Sequence, residues 1–217
     1  MKLKYSRRPY KEFYAAWVNY QAKIDPKRAV GGMWEEIGKL QFGFLLKNGL
    51  MPNHKLLDLG CGSLRGGIYF IRYLDRGNYF GMDISEEILK AAKKILRENF
   101  LEDKNPTLIH NTDLSFKELQ GKKFDYIIAQ SVFTHMPLCD IKECFQNVGR
   151  ILKKDGVFFA TFYESLAIKT TTRGLAFHYP LKILTKLANE YNLKIEKLEN
   201  YVHPRGQKML KISKRKK

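Results

Sequence analysis

The stretch LLDLGCGSLRGG, from Leu56 to Gly67, runs two leucines into an aspartate and then places glycines at positions 60, 62, 66 and 67. Glycine adopts backbone conformations that other residues avoid, so this spacing indicates a sharp turn. Two explanations compete. The turn either joins a buried strand to a helix in little space, or it lets a ligand approach the backbone where no Cβ atoms intervene.

The sequence after residue 55 alternates short apolar runs with helical patterns. Five runs are nearly continuous in apolar residues, which is typical of strands covered on both faces: 55–60, 78–84, 107–113, 124–132 and 156–163. Helices are predicted over three segments: 85–100, which starts at a Ser cap, 140–152 and 181–191. Two later runs, 193–202 and 207–213, flank HPRG and predict a hairpin. The alternation predicts an α/β fold with a parallel sheet.

Two further helices are predicted ahead of the sheet, over residues 10–21 and 34–45, on either side of a break at Gly31–Gly32. The first carries an aromatic stripe. Gln41 is a polar member of the apolar stripe on the second, and buried amides need hydrogen-bond partners. Gln41 therefore either bonds to nearby backbone or faces a ligand pocket.

Composition bounds the class of protein. A chain of 217 residues with 44% hydrophobic residues can form one domain with a real core. The chain has no run of about 18 apolar residues, so no membrane span is predicted. The basic N-terminus lacks the apolar stretch of a secretory signal. Three cysteines without CxxC spacing indicate reduced thiols and a cytoplasmic location.

The net charge of +17 is concentrated at the two ends of the chain. Residues 1–30 hold eight basic and two acidic side chains, and residues 180–217 hold eleven and three. This excess either forms a solvated surface or attracts a phosphorylated or nucleic-acid partner.

The glycine stretch can now be placed between the first predicted strand and the first helix of the sheet. Ligands bind such sheets beyond the carboxyl ends of the strands, beside the first strand. Asp83 ends the second strand, 23 residues after Gly60, which suits a carboxylate that holds a ribose diol. This order of elements, a strand, a glycine turn, a helix and a second strand that ends in an acid, favours a nucleotide site. NAD is still among the candidate nucleotides.

At this point the residues resemble class I S-adenosylmethionine-dependent methyltransferases. LLDLGCG, YFGMDIS, HNTDL and FDYIIAQSVFTHM are similar to four successive motifs of that family, and the resemblance covers roughly residues 30–213. It implies a Rossmann-like sheet of seven mostly parallel strands with helices on both faces, an antiparallel last strand and an N-terminal helical lid. We divide the chain into that lid or cap, residues 1–50, and a methyltransferase domain, residues 51–217, with a short basic tail in the same folded unit.

The resemblance also implies the cofactor S-adenosylmethionine, with Asp58 facing its methionine amine and Asp83 taking the ribose hydroxyls. The other predicted cofactor-binding residues are Gly60, Cys61, Gly62, Arg65, Ile84, Asp113, Leu114, Gln130, Ser131 and, from the second helix, Gln41. Arg65 either pairs with the cofactor's carboxylate or is an exposed residue in the first turn of a helix. Leu64 departs from the pattern, because many members have a third glycine there.

His135 is the predicted catalytic residue, since transfer to an oxygen benefits from a base and this histidine follows the fourth strand. The alternative is a histidine that caps or packs a helix. HPRGQK either places its side chains at the rim of the pocket or forms a plain turn. The residues predicted to contact the acceptor are Tyr14, Trp34, Tyr163, His203 and Arg205.

The sequence thus predicts an enzyme that methylates a small hydroxylated acceptor on oxygen, with sugars and anionic sugar phosphates among the candidates. The flanking sequence resembles bacterial methyltransferases of surface-glycan pathways. The alternatives are methylation of RNA or another nucleic acid, and a module that binds the cofactor without catalysing a reaction. No group of His, Cys and Asp residues has metal-ligand spacing, so no metal is predicted. The oligomeric state is left unassigned.

Overall fold

The computed structural model describes residues 7–171 and 175–215. The last two residues of the predicted basic tail lie outside these ranges. The described strands are β1 (Leu56–Leu59), β2 (Tyr79–Asp83), β3 (Thr107–His110), β4 (Phe124–Ala129), β5 (Leu152–Glu164), β6 (Lys169–Thr170), β7 (Phe177–Tyr179), β8 (Leu193–Leu198) and β9 (Lys208–Lys214). The α-helices are α1 (Arg7–Ile24), α2 (Pro26–Ala29), α3 (Trp34–Lys47), α4 (Gly67–Tyr73), α5 (Glu86–Glu98), α6 (Leu138–Ile151) and α7 (Leu181–Asn189).

The main sheet has seven strands in the order β3, β2, β1, β4, β5, β9, β8. The first five are parallel, whereas β9 runs antiparallel to both of its neighbours. This arrangement confirms the predicted Rossmann-like α/β fold with an antiparallel last strand. The short pair of β6 and β7, attached to the last two residues of β5, was not predicted.

The sheet separates two apolar cores because successive side chains of a strand point to opposite faces. In β1, Leu57 and Leu59 enter the core shared with α6 and α7, and Leu56 enters the core shared with α3, α4 and α5. Leu56 and Leu57 are fully buried. Each buried leucine stabilises the fold by roughly 1.5–3 kcal/mol, so near-continuous apolar strands are required in this two-faced sheet.

Helix α5 shows how local chemistry sets a boundary. It starts where predicted, because the Ser85 hydroxyl accepts a hydrogen bond of 3.1 Å from the Ile88 amide. Glu86 and Glu87 then occupy the first turn, where a carboxylate interacts favourably with the helix dipole. Its apolar face carries Ile88 and Ala92, both fully buried, onto the sheet.

Helix α1 differs from the others because it crosses from one core to the other. Tyr10 belongs to the core on the α6 side, and Val18 and Ala22 belong to the core on the α5 side. The helix therefore passes over the carboxyl ends of the central strands. No helix within the described ranges is long and apolar enough to cross a bilayer.

Candidate functional site

A cavity of about 360 Å³ lies at the carboxyl ends of β1, β2 and β4, under α1. This is the edge at which open parallel sheets bind ligands. Its volume is near the lower end of the usual range for small-molecule sites. The predicted site residues that line it are Gln41, Asp58, Gly60, Cys61, Gly62, Arg65, Asp83, Ile84, Asp113, Leu114, Gln130, Ser131, His135, Tyr14, Tyr163 and Arg205.

The glycine turn forms one wall of the cavity. Gly60 and Gly62 have φ angles of +74° and +55°, a region that favours glycine. A Cβ atom on Gly62 would lie 2.3 Å from a methyl group of Val30, and one on Gly66 would lie 2.3 Å from the side-chain carbonyl carbon of Gln41. The glycine stretch therefore turns sharply in little space, with neighbouring side chains close against it. The approach of a ligand to this backbone stays a prediction.

Leu64 occupies the position at which the sequence departs from the family pattern. It is fully buried and has a φ of +70°, so the loop keeps a left-handed residue without glycine. That conformation costs a non-glycine residue on the order of 1–3 kcal/mol, which the packing of Leu64 against α4 offsets.

Two opposite charges are buried beside the turn. Asp58 is 3% exposed and accepts a hydrogen bond of 2.8 Å from the Tyr79 hydroxyl. Burial raises the pKa of Asp58 to about 7, although the Tyr79 hydrogen bond opposes the shift. Arg65 is 6% exposed, and burial together with Arg205 lowers its pKa to about 10. Neither side chain forms an ion pair within the described ranges.

One buried donor at this wall has no acceptor among the described residues. One guanidinium nitrogen of Arg65 donates to the carbonyl oxygens of Val30 and Gly32, at 2.6 and 3.0 Å, but its buried Nε has no partner. The amide of Gln41, 3% exposed, lines the cavity and forms no hydrogen bond with any described residue. Unpaired buried polar groups are costly, so this wall is suited to a polar ligand. Arg65 is thus not an exposed first-turn residue, and Gln41 faces the pocket.

Asp83 holds the turn from the end of β2. Its two carboxylate oxygens accept hydrogen bonds from the amides of Gly62, at 2.9 Å, and Ser85, at 3.0 Å. Each oxygen keeps a second lone pair for a ligand hydroxyl. Beyond it, Ile84 and Leu114 give the cavity an apolar border, and exposed Asp113 accepts a hydrogen bond of 2.8 Å from the Ser115 amide.

The floor after β4 is a network of neutral polar groups. Gln207 accepts hydrogen bonds through Oε1 from the hydroxyls of Thr161, at 2.7 Å, and Ser131, at 3.1 Å. The Tyr201 hydroxyl donates to Oε1 of Gln130 at 2.6 Å. Ser131 has a φ of +60°, held by the hydrogen bond from its amide to Thr161. This network fixes the two predicted residues after β4 at the cavity.

His135 lies at the far end of the cavity, and its ring orientation is fixed. Its Nδ1 lies 2.5 Å from the Leu175 carbonyl oxygen, which can only accept a hydrogen bond. Nδ1 therefore carries the proton, and Nε2 keeps its lone pair. Burial lowers the pKa of His135 below its usual value of 6.5, against the effect of that hydrogen bond. The ring stacks on Tyr14, with centroids 5.3 Å apart. The neutral ring can accept a proton near pH 7.

Two of the predicted acceptor residues, Trp34 and His203, lie outside the lining of the cavity. Trp34 starts α3, and the Lys27 ammonium lies 5.3 Å from its ring centroid. His203 is buried behind the wall, where its Nδ1 accepts a hydrogen bond from the Arg205 amide. The turn thus presents Arg205, and not His203, to the cavity.

Sequence reasoning missed part of the wall that α1 supplies. The Tyr10 hydroxyl donates to the His135 carbonyl oxygen at 2.8 Å. The Lys11 ammonium lies 3.5 Å from Asp140 and 3.6 Å from Glu143 on α6. The aromatic stripe could have indicated Tyr10, whereas the sequence carries no signal for the pairing of Lys11. Among the described residues, no three His, Cys, Asp or Glu side chains are grouped to hold a metal ion.

Comparison with known proteins finds a methyltransferase domain in this chain. A family model described as a methyltransferase domain matches residues 57–158. A probable S-adenosylmethionine-dependent methyltransferase of Saccharomyces cerevisiae is 28% identical over 123 residues, which are 54% of this chain and 40% of that protein. The ribosomal protein L11 methyltransferase of Thermosipho africanus is 31% identical over 135 residues, which are 62% and 47%. The chain thus matches less than half the length of these curated relatives.

The fold is also found among solved structures. Magnesium protoporphyrin IX methyltransferase from Synechocystis PCC 6803, crystallised with SAM, superposes with a TM-score of 0.70 at 18% identity. The match covers 95% of this chain and 97% of that one. At this identity the likeness establishes the architecture alone.

Proposed function

We propose that this chain, whose residues 57–158 match a methyltransferase domain, acts as a class I S-adenosylmethionine-dependent methyltransferase and transfers a methyl group to a hydroxyl oxygen of a small acceptor, with sugars and sugar phosphates as the candidate class. The observation that carries the proposal is His135, whose ring is held at the cavity by Leu175 with Nε2 available. A neutral imidazole in that position is suited to remove a proton from an acceptor hydroxyl.

The wall at the glycine turn fits the amino-acid end of S-adenosylmethionine. Asp58 is an acid whose pKa is raised by burial, and an α-ammonium group beside it would favour its ionised form. The buried Nε of Arg65 has no acceptor and the Gln41 amide faces the cavity, so both are suited to donate hydrogen bonds to an α-carboxylate. Asp83 is suited to the ribose hydroxyls, with Ile84 and Leu114 beside the adenine. When bound, the cofactor supplies a methyl group activated by a sulfonium.

The chain's own residues then align and shelter the acceptor. Neutral groups at the floor, such as Ser131 and Gln207, place no charge that would hold a cation away from this region. Tyr14 covers the ring of His135 and excludes water from it. The remaining task is alignment of the hydroxyl between Nε2 of His135 and the reacting methyl, which accounts for most catalysis of this type.

Helix α1 covers the cavity, which favours a small acceptor over a polymer. Helix α1 is tied down at Tyr10, which bonds to His135, and at Asn19, whose Oδ1 accepts a hydrogen bond of 2.6 Å from Ser85. A polymer could reach the cavity only if α1 left both contacts. The described part of the predicted cap, residues 7–50, therefore acts as a cover for the domain that follows it. Arg205 lines the cavity without an ion-pair partner in the described ranges, which suits an anionic acceptor.

Transfer of a labelled methyl group tests the proposal. The full chain would be incubated with S-adenosylmethionine labelled in the methyl group and with neutral sugars, sugar phosphates or an RNA transcript. We expect label in a small acceptor as an alkali-stable ether, with phosphorylated acceptors preferred over neutral ones. Label in the RNA alone would contradict the proposal. Tight binding of S-adenosylhomocysteine without transfer to any of these acceptors would favour a non-catalytic module.

A further inference from the structure

The outward side of α1 is apolar, although the helix already buries its inward side. Tyr10, Val18 and Ala22 are at most 7% exposed, packed on the two cores. On the other side, Phe13, Tyr20 and Ile24 are 54%, 63% and 65% exposed. We call these three residues the outer stripe. Their spacing of seven and four residues places them on one line along the helix.

A helix that is apolar on both sides is normally covered on both. Isolated exposed apolar residues are common on protein surfaces, but the outer stripe is an aligned set on a helix of 18 residues. From its position and surrounding charge we infer that the outer stripe docks on an anionic lipid surface, with α1 lying in the plane of the interface.

The charge around the stripe supports lipid as the partner. Residues 1–30 carry eight basic and two acidic side chains. Lys23, Lys27 and Arg28 are exposed at the end of the stripe. Aromatic and aliphatic side chains beside lysines and arginines are the composition of helices that bind the interface of anionic membranes.

Other exposed apolar residues lie at the same edge of the sheet. Leu166, two residues after β5, is 97% exposed, and Val202, four residues after β8, is 81% exposed. Both strands end at the cavity edge that α1 crosses. This edge therefore presents aliphatic as well as aromatic groups to its surroundings.

The aliphatic members separate a lipid surface from two other partners. Single-stranded nucleic acid binds basic surfaces by stacking its bases on aromatic rings, and Ile24, Leu166 and Val202 offer no ring. A second copy of the chain would bring one basic N-terminal region against another, and like charges repel. An anionic bilayer uses the aromatic, aliphatic and basic groups together. Docking leaves the inward side of α1 on the protein, so the inference does not depend on any methyl transfer.

Vesicle binding by the full chain tests the inference. Sedimentation would compare vesicles of phosphatidylcholine alone with vesicles containing about one-third phosphatidylglycerol. We expect binding to the anionic vesicles only, and its loss at high salt. A triple variant, Phe13→Gln, Tyr20→Gln and Ile24→Gln, keeps good helix formers and should weaken binding about a hundredfold or more, since three apolar side chains no longer enter the lipid.

Phe100→Gln is the matched control, because Phe100 is 88% exposed at the end of α5, away from the cavity edge. It should bind vesicles like the wild type. Thermal unfolding followed by circular dichroism would verify that each variant is folded. If the triple variant fails to fold, the single change Ile24→Gln, at the last residue of α1, should still weaken binding about tenfold.

Three results would overturn the inference. The first is absence of wild-type binding to anionic vesicles. The second is equal binding by the wild type and the folded variants of the stripe. The third is a dimer in sedimentation velocity, or a complex with a single-stranded RNA oligonucleotide, that the stripe variants abolish while vesicle binding stays unchanged.

Discussion

The two ends of the cavity are built in opposite ways. At the glycine turn, the buried Nε of Arg65 has no partner among the described residues, and the Gln41 amide faces the cavity near the buried acid Asp58. At the other end, His135 is held through both its ring and its backbone, by Leu175 and Tyr10. An unsatisfied buried donor suits a polar ligand, whereas the satisfied groups hold the ring of His135 in place for the catalytic role that we propose.

The largest expected effect is the loss of reaction rate in His135→Asn, which distinguishes this end of the cavity from the glycine turn. His135→Asn keeps an amide donor for the Leu175 carbonyl and removes the base, so the single-turnover rate should fall by about 10²–10⁴. Affinity for the cofactor should hardly change. The loss should shrink at high pH, where the acceptor hydroxyl ionises without help. In the wild type, the rate should fall as pH drops below 6.5, since the pKa of His135 lies below that value.

His54→Asn is a control for that change, since His54 lies near the start of β1, away from the cavity. A His135→Asn enzyme with wild-type turnover at every pH would make this histidine a packing residue and remove the contrast between the two ends.

Asp58→Asn should weaken binding of the cofactor, in contrast to His135→Asn, which should lower the rate. An isosteric amide leaves the α-ammonium without its partner, which costs about 3–5 kcal/mol for a broken buried pair. Calorimetry of S-adenosylhomocysteine measures this directly. Because the pKa of Asp58 is raised to about 7 and an ammonium favours the ionised acid, wild-type affinity should fall as pH drops below 7. The slope should approach tenfold per pH unit and should be absent in Asp58→Asn.

Asp83→Ala should weaken cofactor binding by about 1.5–3 kcal/mol, the range for a lost charge-assisted hydrogen bond. The same change releases the Gly62 amide, so the fold must be checked by thermal unfolding. Unchanged affinity in a folded Asp83→Ala protein would remove this residue from the nucleotide site. It would leave the carboxylate as a brace of the turn.

The smallest effect belongs to the cover. Tyr10→Phe removes the hydroxyl that bonds to the His135 carbonyl oxygen, which is worth about 0.5–1.5 kcal/mol. Turnover should fall by less than about tenfold at unchanged cofactor affinity. Tyr20→Phe, on the exposed side of the same helix, is the matched control and should leave turnover unchanged. An equal loss in both variants would show that stability of α1, and not the position of His135, is affected.

The same contrast explains what the sequence could predict. The glycine turn is local: Asp58, Gly60 and Gly62 follow one strand within a few residues, so their grouping can be recognised from spacing. Apolar runs likewise predict the strands of the main sheet, because strands buried on both faces require them. The fold and the lining of this end were therefore accessible without a structure.

The other end depends on contacts between distant residues. His135 takes its ring orientation from Leu175, a carbonyl 40 positions away, which no residue type encodes. The sequence also could not show that the ring of Trp34 faces Lys27, or that His203 is buried and accepts a hydrogen bond from the Arg205 amide. Periodicity predicts that a helix exists and does not predict which neighbour each of its side chains meets.

The role of the glycine turn is tested most directly by comparing the affinities of two ligands for the protein. S-adenosylhomocysteine carries the amino-acid end, and 5′-methylthioadenosine lacks it. We predict that calorimetry will show much tighter binding of the first ligand to the wild type, and that Arg65→Met will remove most of this difference while leaving the affinity for 5′-methylthioadenosine unchanged. If Arg65→Met leaves the ratio of the two affinities unchanged, the glycine turn does not bind the cofactor's amino-acid end through Arg65.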